Sequence, residues 1–204
     1  MKDSGVEWLG EVPEHWDVRR LRHAVQINPP KKDIKHLPKD TQISFLPMEA
    51  VGENGELSLE QTRSIEEVIE GFTYFRNKDV TFAKITPCFE NGKGALMDNL
   101  QNSIGFGTTE LTVLRPDRNK ILSQYLNRLV ASQQFRELGE SSMYGAGGQK
   151  RVPDHFVRNF SIALPPLPEQ QAIANFLDEE TGRIDGLIYE AEGTISLLQE
   201  RRSA

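Results

Sequence analysis

The chain has 204 residues, is 37% hydrophobic and 26% charged, contains one cysteine and carries a formal net charge of −6. That length suits one domain of about 150 residues with an appendage. The lone Cys88 excludes an internal disulfide framework, as a reducing compartment would favour, and no stretch reaches the roughly 18 consecutive apolar residues of a membrane helix.

The opening residues, Met1-Lys2-Asp3-Ser4-Gly5, hold no apolar stretch of the secretory type, so a cytoplasmic protein is expected. Trp8-Leu9-Gly10-Glu11-Val12-Pro13-Glu14-His15-Trp16 follows, a short aromatic segment broken by Gly and Pro. Its two tryptophans are expected to pin the terminus to the core. Arg19 to Ile27 mixes apolar and basic residues and fits a strand or a short helix. Pro29, Pro30 and Pro38, with Lys and Asp between them, read as a loop. Ile43 to Pro47 reads as a strand, and Asn54-Gly55 as a hairpin turn.

The middle of the chain is the most strand-like. Asp79 to Ile85 is a predicted strand ended by Pro87. Gly92-Lys93-Gly94 is a turn, and Ala95-Leu96-Met97 continues extended. Ile104 to Leu114 is one β-rich run that stops at Pro116. The period then changes. Ile121, Leu122, Tyr125, Leu126, Leu129, Val130 and Phe135 recur at helical spacing up to Gly139. Ser141 to Gln149 is small and flexible, with Lys150-Arg151 directly after it. Pro153 can open a short helix in its first turn, and Phe160 to Leu164 is a closing strand.

After Leu164-Pro165-Pro166-Leu167-Pro168 a long helical pattern begins at Glu169. Leu177, Ile184, Ala191 and Leu198 alternate with Ala174, Thr181, Ile188 and Ile195 in steps of four and three. That is a heptad seam, which turns one stripe of a helix toward a partner helix. The acidity sits mainly here: from Glu169 onward eight acids face three bases, leaving 22 acids and 21 bases before it. The globular part is therefore close to neutral and is free to carry a basic face. Gly182, Gly186 and Gly193 each cost roughly 0.5–1 kcal/mol against Ala in a helix interior, so packing against a partner, or a bend, is expected there. The fold expected is mixed α/β: one globular domain with a mixed sheet over 1–165, then a long coiled-coil-forming helix over 169–204.

Chemistry-bearing motifs are sparse. Asn28-Pro29-Pro30-Lys31 approaches the Asn-Pro-Pro-aromatic tetrapeptide of amino-methylating DNA methyltransferases, but Lys31 stands where a stacking ring would hold a flipped base. A Pro-rich loop is the simpler reading. His15, His23, His36 and His155 are scattered and do not pair with Cys88 at metal-ligand spacing, so no metal is expected. No nucleophile elbow or phosphate-cradling loop is present. Two segments favour nucleic acid. Around a strand end and turn stand Lys84, Thr86, Asn91 and Lys93. Flexible backbone at Tyr144 to Gly148 precedes Gln149, Lys150 and Arg151, an amide and two cations of the kinds that contact phosphates and base edges. A solvated loop with two stray charges is the plain alternative for either segment.

Taken together these residues resemble the specificity subunit of type I restriction–modification systems. The opening Trp8 to Trp16, the stretch Val80-Thr81-Phe82-Ala83-Lys84-Ile85-Thr86-Pro87-Cys88-Phe89-Glu90-Asn91-Gly92-Lys93, the run Gly105-Phe106-Gly107-Thr108-Thr109-Glu110-Leu111 and the junction Leu164 to Ile173 carry the likeness. The resemblance implies a target-recognition domain followed by a spacer helix. It implies a chain that is not itself an enzyme and binds no cofactor. S-adenosylmethionine belongs to partner modification subunits that methylate adenine at N6, and a restriction subunit adds DNA cleavage. Such chains usually hold two recognition units, and this one holds a single unit: a half-subunit, a truncated product or a fragment.

On that reading double-stranded DNA meets loops bearing Lys84, Thr86, Asn91, Lys93, Thr108, Thr109, Tyr144, Gln149, Lys150 and Arg151. Leu177, Ile184, Ile188, Ala191, Ile195 and Leu198 form the helix seam, most simply in an antiparallel homodimer. Two rivals remain: a compact methyltransferase built on Asn28-Pro29-Pro30, and a scaffold that binds partner subunits through its helix without reading DNA.

Overall fold

The computed structural model describes residues 1–203; Ala204, the last residue of the expected helix, lies outside the described residues, as do the side chains at 197 and 200–203. Two short strands, β1 (Lys2–Asp3) and β2 (Glu11–Val12), pair at the N-terminus. The segment 19–27 is neither one strand nor one helix. It is the end of β3 (Asp17–Arg20), a single 3-10 turn at Leu21–His23, and β4 (Val25–Ile27). A second 3-10 turn, Lys31–Ile34, occupies the proline-flanked loop. Then come β5 (Gln42–Leu46), β6 (Thr62–Ser64), the one-turn α1 (Ile65–Val68) and β7 (Thr73–Arg76). Ser64 and Glu67 form a capping box at α1, satisfying amides that a helix start leaves free.

β8 (Val80–Ala83), β9 (Gly94–Leu96), β10 (Ile104–Gly107) and β11 (Leu111–Pro116) follow. Here the structure corrects the sequence. The run 104–114 is two strands in two different sheets, broken by a turn at 108–110 in which the Leu111 amide donates to the Thr108 carbonyl at 3.2 Å. One sheet has the order β6-β5-β10-β7 and is mixed, because β5 and β10 run parallel. The other, β4-β11-β8-β9, is antiparallel. The glycines of the run permit this close packing. A Cβ on Gly107 would sit 2.6 Å from the Leu46 carbonyl oxygen, and one on Gly105 2.2 Å from the Phe75 ring.

The predicted helix 121–139 is likewise two: α2 (Ser123–Ala131) and α3 (Gln133–Ser141). Ser132 separates them in extended geometry, and its Oγ accepts from the Phe135 amide at 3.3 Å. A serine there supplies the N-cap that a new helix needs. Pro153 stands just before α4 (Asp154–Asn159), as its N-cap and not within its first turn. β12 (Ser161–Leu164) pairs with β3, and α5 (Leu167–Ser203) runs without interruption through Gly182, Gly186 and Gly193, whose added Cβ atoms would meet nothing within 4 Å. The expected mixed α/β architecture with a long C-terminal helix is thus present.

Both tryptophans anchor the N-terminal segment. Trp8 stacks on Phe160 with centroids 4.9 Å apart, and Trp16 Nε1 donates to Glu169 at 2.8 Å. His15 bonds the same carboxylate at 2.7 Å. The Trp16 bond and then the His15 bond hold the Glu169 carboxyl below its usual range. Phe135 centres the main core, meeting Phe82, Phe89, Phe156 and Phe160. Tyr125 is buried beside it, and burial raises its phenol to about 12 while its hydroxyl donates to the Ala163 carbonyl at 3.0 Å. A polar bridge joins the two four-stranded sheets. Arg115 donates to Asp79 through Nε (2.9 Å) and Nη2 (2.8 Å) and to Asp33 (2.9 Å), and Arg76 donates to the same Asp33 at 3.1 Å.

Candidate functional site

β8 is buried along its whole length, so the first side chain able to leave it is Lys84, immediately past its end. Backbone pairing continues beyond the strand. The Val152 amide donates to the Lys84 carbonyl at 2.8 Å, and the Thr86 amide donates to the Lys150 carbonyl at 3.0 Å. Tyr144 and Arg151 exchange both backbone bonds, at 3.2 and 2.9 Å, which closes 145–150 into a hairpin tip. Gly145, Gly147 and Gly148 take positive φ there, a geometry that side chains resist. One frame thus gathers Lys84, Thr86, Tyr144, Gln149, Lys150 and Arg151. The side chains of Tyr144, Gln149 and Lys150 are exposed on it.

Two grooves flank Lys84. One, of about 570 Å³, is lined by Lys84, Tyr144, Arg151, Val152, Pro153, Asp154 and His155. The other, of about 200 Å³, lies between the sheets, where Asn28, Lys31, Tyr74 and Thr109 join Lys84. The second groove has no carboxylate in its lining. Lys31 reaches it from the 3-10 turn, donating to the Ile69 carbonyl at 2.5 Å and lying 5.3 Å from the Phe106 ring centre. Burial lowers its pKa, against a smaller opposing pull from Glu70.

Arg151 is not a free cation. Its Nε and Nη2 donate to the two oxygens of Glu110 at 2.9 and 2.8 Å. The Arg151 bonds are the largest cause holding the Glu110 carboxyl below the usual glutamate range. Because that folded pKa is depressed, the tie is in place at neutral pH, and it is lost only as the pH falls through the depressed value. Arg151 therefore orders the hairpin, while Lys84 and Lys150 form no ion pair among the described residues. Thr108 and Thr109 sit in the 108–110 turn, where Thr108 Oγ1 accepts from the Glu110 amide at 3.3 Å and Thr109 lines the inter-sheet groove.

Asn91 and Lys93 do not join this group. Asn91 donates to Glu53 at 2.9 Å, and Lys93 donates to the Met48 carbonyl at 3.4 Å. Lys93 lines a small cavity of about 60 Å³ next to α2. Asn28 is structural: its Oδ1 accepts from the Val113 amide at 3.0 Å, so the Asn-Pro-Pro tetrapeptide holds β11 and is not arranged as a base clamp. Among the described residues no group of acidic, histidine and cysteine side chains could hold a metal. Sequence reasoning missed Lys31 and His155. The rigid Pro29-Pro30 pair directly before Lys31 was the available signal.

On the long helix, the first seam positions are already used. Ala174 is buried, and Leu177 and Thr181 are half-buried against the domain. The Gln170 amide, fully buried, donates to the carbonyls of Lys120 (2.8 Å) and Pro165 (2.9 Å) and accepts from the Leu122 amide (2.9 Å). Arg128 pairs with Asp178 and donates to Thr181. From Ile184 onward the described side chains are exposed, with Ile184, Ile188, Ala191, Ile195 and Leu198 along one stripe and Leu187 widening its flank. Leu177 thus belongs to the docked stretch, and Leu187 is an apolar position that the strict heptad overlooks.

A family model described as the type I restriction modification DNA specificity domain matches residues 13–185. The chain belongs to that family. It is 43% identical over 164 residues to the specificity subunit of type I restriction enzyme EcoAI of Escherichia coli and 38% identical over 164 residues to that of EcoEI, covering 80% of this chain and 27% of each relative. The chain therefore spans about a quarter of the length of these specificity subunits. Its fold is that of the HsdS subunit from Thermoanaerobacter tengcongensis (TM-score 0.67, 22% identity, 87% of this chain and 45% of that one). It is likewise that of a chain in a type I R-M system structure concerned with complex assembly and conformational transition (TM-score 0.72, 22% identity, 95% and 50%). The family match takes in both the frame around Lys84 and the helix junction at Gln170.

Proposed function

We propose that this chain is a non-catalytic DNA-reading unit, directing adenine N6 methylation and DNA cleavage by partner modification and restriction subunits. The observation that carries it is the Lys84 frame: two lysines that form no ion pair among the described residues, an exposed tyrosine and an amide on one hairpin, beside two open grooves. Cations there hold phosphates, and the polar groups and the hairpin tip reach base edges. S-adenosylmethionine and the methyl-transfer chemistry are assigned to the modification subunits. The test is a genome-wide map of N6-methyladenine in cells expressing the chain with its modification subunit, each subunit alone serving as control. A two-part motif should appear only with both. Lys84→Ala with Lys150→Ala should lower methylation at that motif about tenfold or more, as expected for lost charged contacts, while the complex still assembles. An assembled wild-type complex that methylates nothing new would leave a scaffold role.

The exposed helix stripe is the proposed docking seam, most simply for a second copy running antiparallel. Ile188→Glu combined with Ile195→Glu should turn a dimer into a monomer in sedimentation. A dimer that persists at unchanged strength would place the contact elsewhere.

A further inference from the structure

Beyond the grooves beside Lys84 lies a second group of cations that nothing above uses. Arg20, at the end of β3, donates to Asn159 Oδ1 at 3.2 Å, and Arg22, in the following 3-10 turn, donates to the same oxygen at 2.7 Å. Arg22 Nε also lies 3.3 Å from His23 Nε2. The amide is held in place from behind, since Asn159 Nδ2 donates to the His155 carbonyl at 2.8 Å. Arg158 stands next to it on α4. All of these side chains are exposed.

Neither Arg20 nor Arg22 holds a carboxylate. Arg19, Arg76, Arg128, Arg151 and Arg183 each hold a carboxylate. Arg20, Arg22 and Arg158, like Arg63, Arg118 and Arg136, form no ion pair among the described residues; what sets Arg20 and Arg22 apart is that both donate to one neutral oxygen. Two guanidiniums fixed on one neutral oxygen repel each other, and an anion placed between them would relieve that repulsion. A guanidinium fork matches a phosphate geometrically.

Position supplies the identity of the anion. α4 begins directly after Val152 and Pro153 of the recognition frame. His155 lines the groove with Lys84, Tyr144 and Arg151, and Asn159 is four residues on, one turn of helix or about 6 Å away. The cluster therefore continues the recognition frame along one rigid turn. We infer that Arg20 and Arg22, set by Asn159, form a phosphate clamp for the DNA backbone flanking the bases read beside Lys84. This rests on the DNA-reading function proposed above. Contacts of this kind position the duplex and are indifferent to sequence.

The test is DNA binding by the chain in complex with its modification subunit, measured by fluorescence anisotropy across a salt series on a duplex carrying the methylated motif and on one without it. For two released phosphate contacts, Arg20→Ala with Arg22→Ala should flatten the slope of log affinity against log salt by about 1.8. The affinity lost between about 50 and about 200 mM salt would then shrink roughly twelvefold. The loss should be equal on both duplexes. Arg20→Lys with Arg22→Lys, which keeps both charges, should retain the slope and controls for folding. If the wild-type complex fails to bind DNA, the DNA-reading function itself falls. If the wild-type complex binds and the alanine variant keeps its slope, the clamp is wrong while that function stands. Loss of the modification subunit from the alanine variant, with DNA affinity per assembled complex unchanged, would assign the cluster to an acidic protein surface and overturn the clamp.

Discussion

Replacing Asp79 by alanine should lower the unfolding free energy by about 3–5 kcal/mol, the range for removing one partner of a buried ion pair. Asp79 is 1% exposed and accepts three bonds, two from Arg115 and one from the Arg76 amide at 3.0 Å. Without it the only carboxylate left to Arg115 is Asp33, which is half exposed and already shared with Arg76, beside the Tyr74 ring 5.3 Å away. The guanidinium would then be left largely buried and under-compensated. The damage should spread, because Asp79 precedes β8, Arg115 lies in β11, Arg76 ends β7 and Asp33 lies in the 3-10 turn: the cluster spans both four-stranded sheets. Denaturant unfolding measures the loss. A double variant with Asp79→Leu and Arg115→Met should recover much of it, since apolar replacement of a whole buried pair is often neutral. A shift below about 1 kcal/mol in Asp79→Ala would mean that the bridge is dispensable.

Phe135→Ala should cost a similar amount, about 3–5 kcal/mol, but by a different route. Phe135 is 1% exposed, and its ring lies 5.0 Å from Phe160, 5.3 Å from Phe82, 5.5 Å from Phe156 and 6.0 Å from Phe89. Phe82 lies in β8, Phe89 follows the Lys84 loop, and Phe156 lies in α4. The ring is thus the packing centre for the elements that hold the 144–151 hairpin. Hydrogen exchange in the alanine variant should quicken most at 84–86 and 150–152, in addition to a lowered denaturation midpoint. Uniform quickening across both sheets, with no excess at those residues, would remove this link between core and hairpin.

The residues that the sequence made legible are those whose signal is local. The proline-rich stop before α5, the strand at 80–83 and the glycine-rich tip at 145–148 each follow from short-range chemistry. The family motifs sit on the same segments. What stayed hidden depends on contacts far apart in the chain. The run 104–114 has no proline or asparagine to mark its break, because the chain changes sheets there and the turn is made by Thr108 and Glu110. The break at Ser132 interrupts an apolar period that carries on through Phe135, so periodicity alone joins α2 to α3. Arg151 reads as a free cation until Glu110, 41 residues away, is seen beside it. Asn91 and Lys93 share a motif with Lys84 yet bond toward the segment 48–53, since the strand reverses at Gly92. The helix seam was legible as a period, but not the fact that the domain itself covers its first turns.

The buried amide of Gln170 makes α5 a lever with a fixed fulcrum. Its three hydrogen bonds bind the helix to the backbone at Lys120, Leu122 and Pro165, and 33 residues separate it from Ser203, about 50 Å of helix. A tilt of about 10° at that point would sweep the far end through about 9 Å, more than one helical pitch. The direction of the exposed stripe is therefore set at the domain end, by the Gln170 amide together with the Glu169, Arg128–Asp178 and Ala174 contacts, far from the stripe residues themselves.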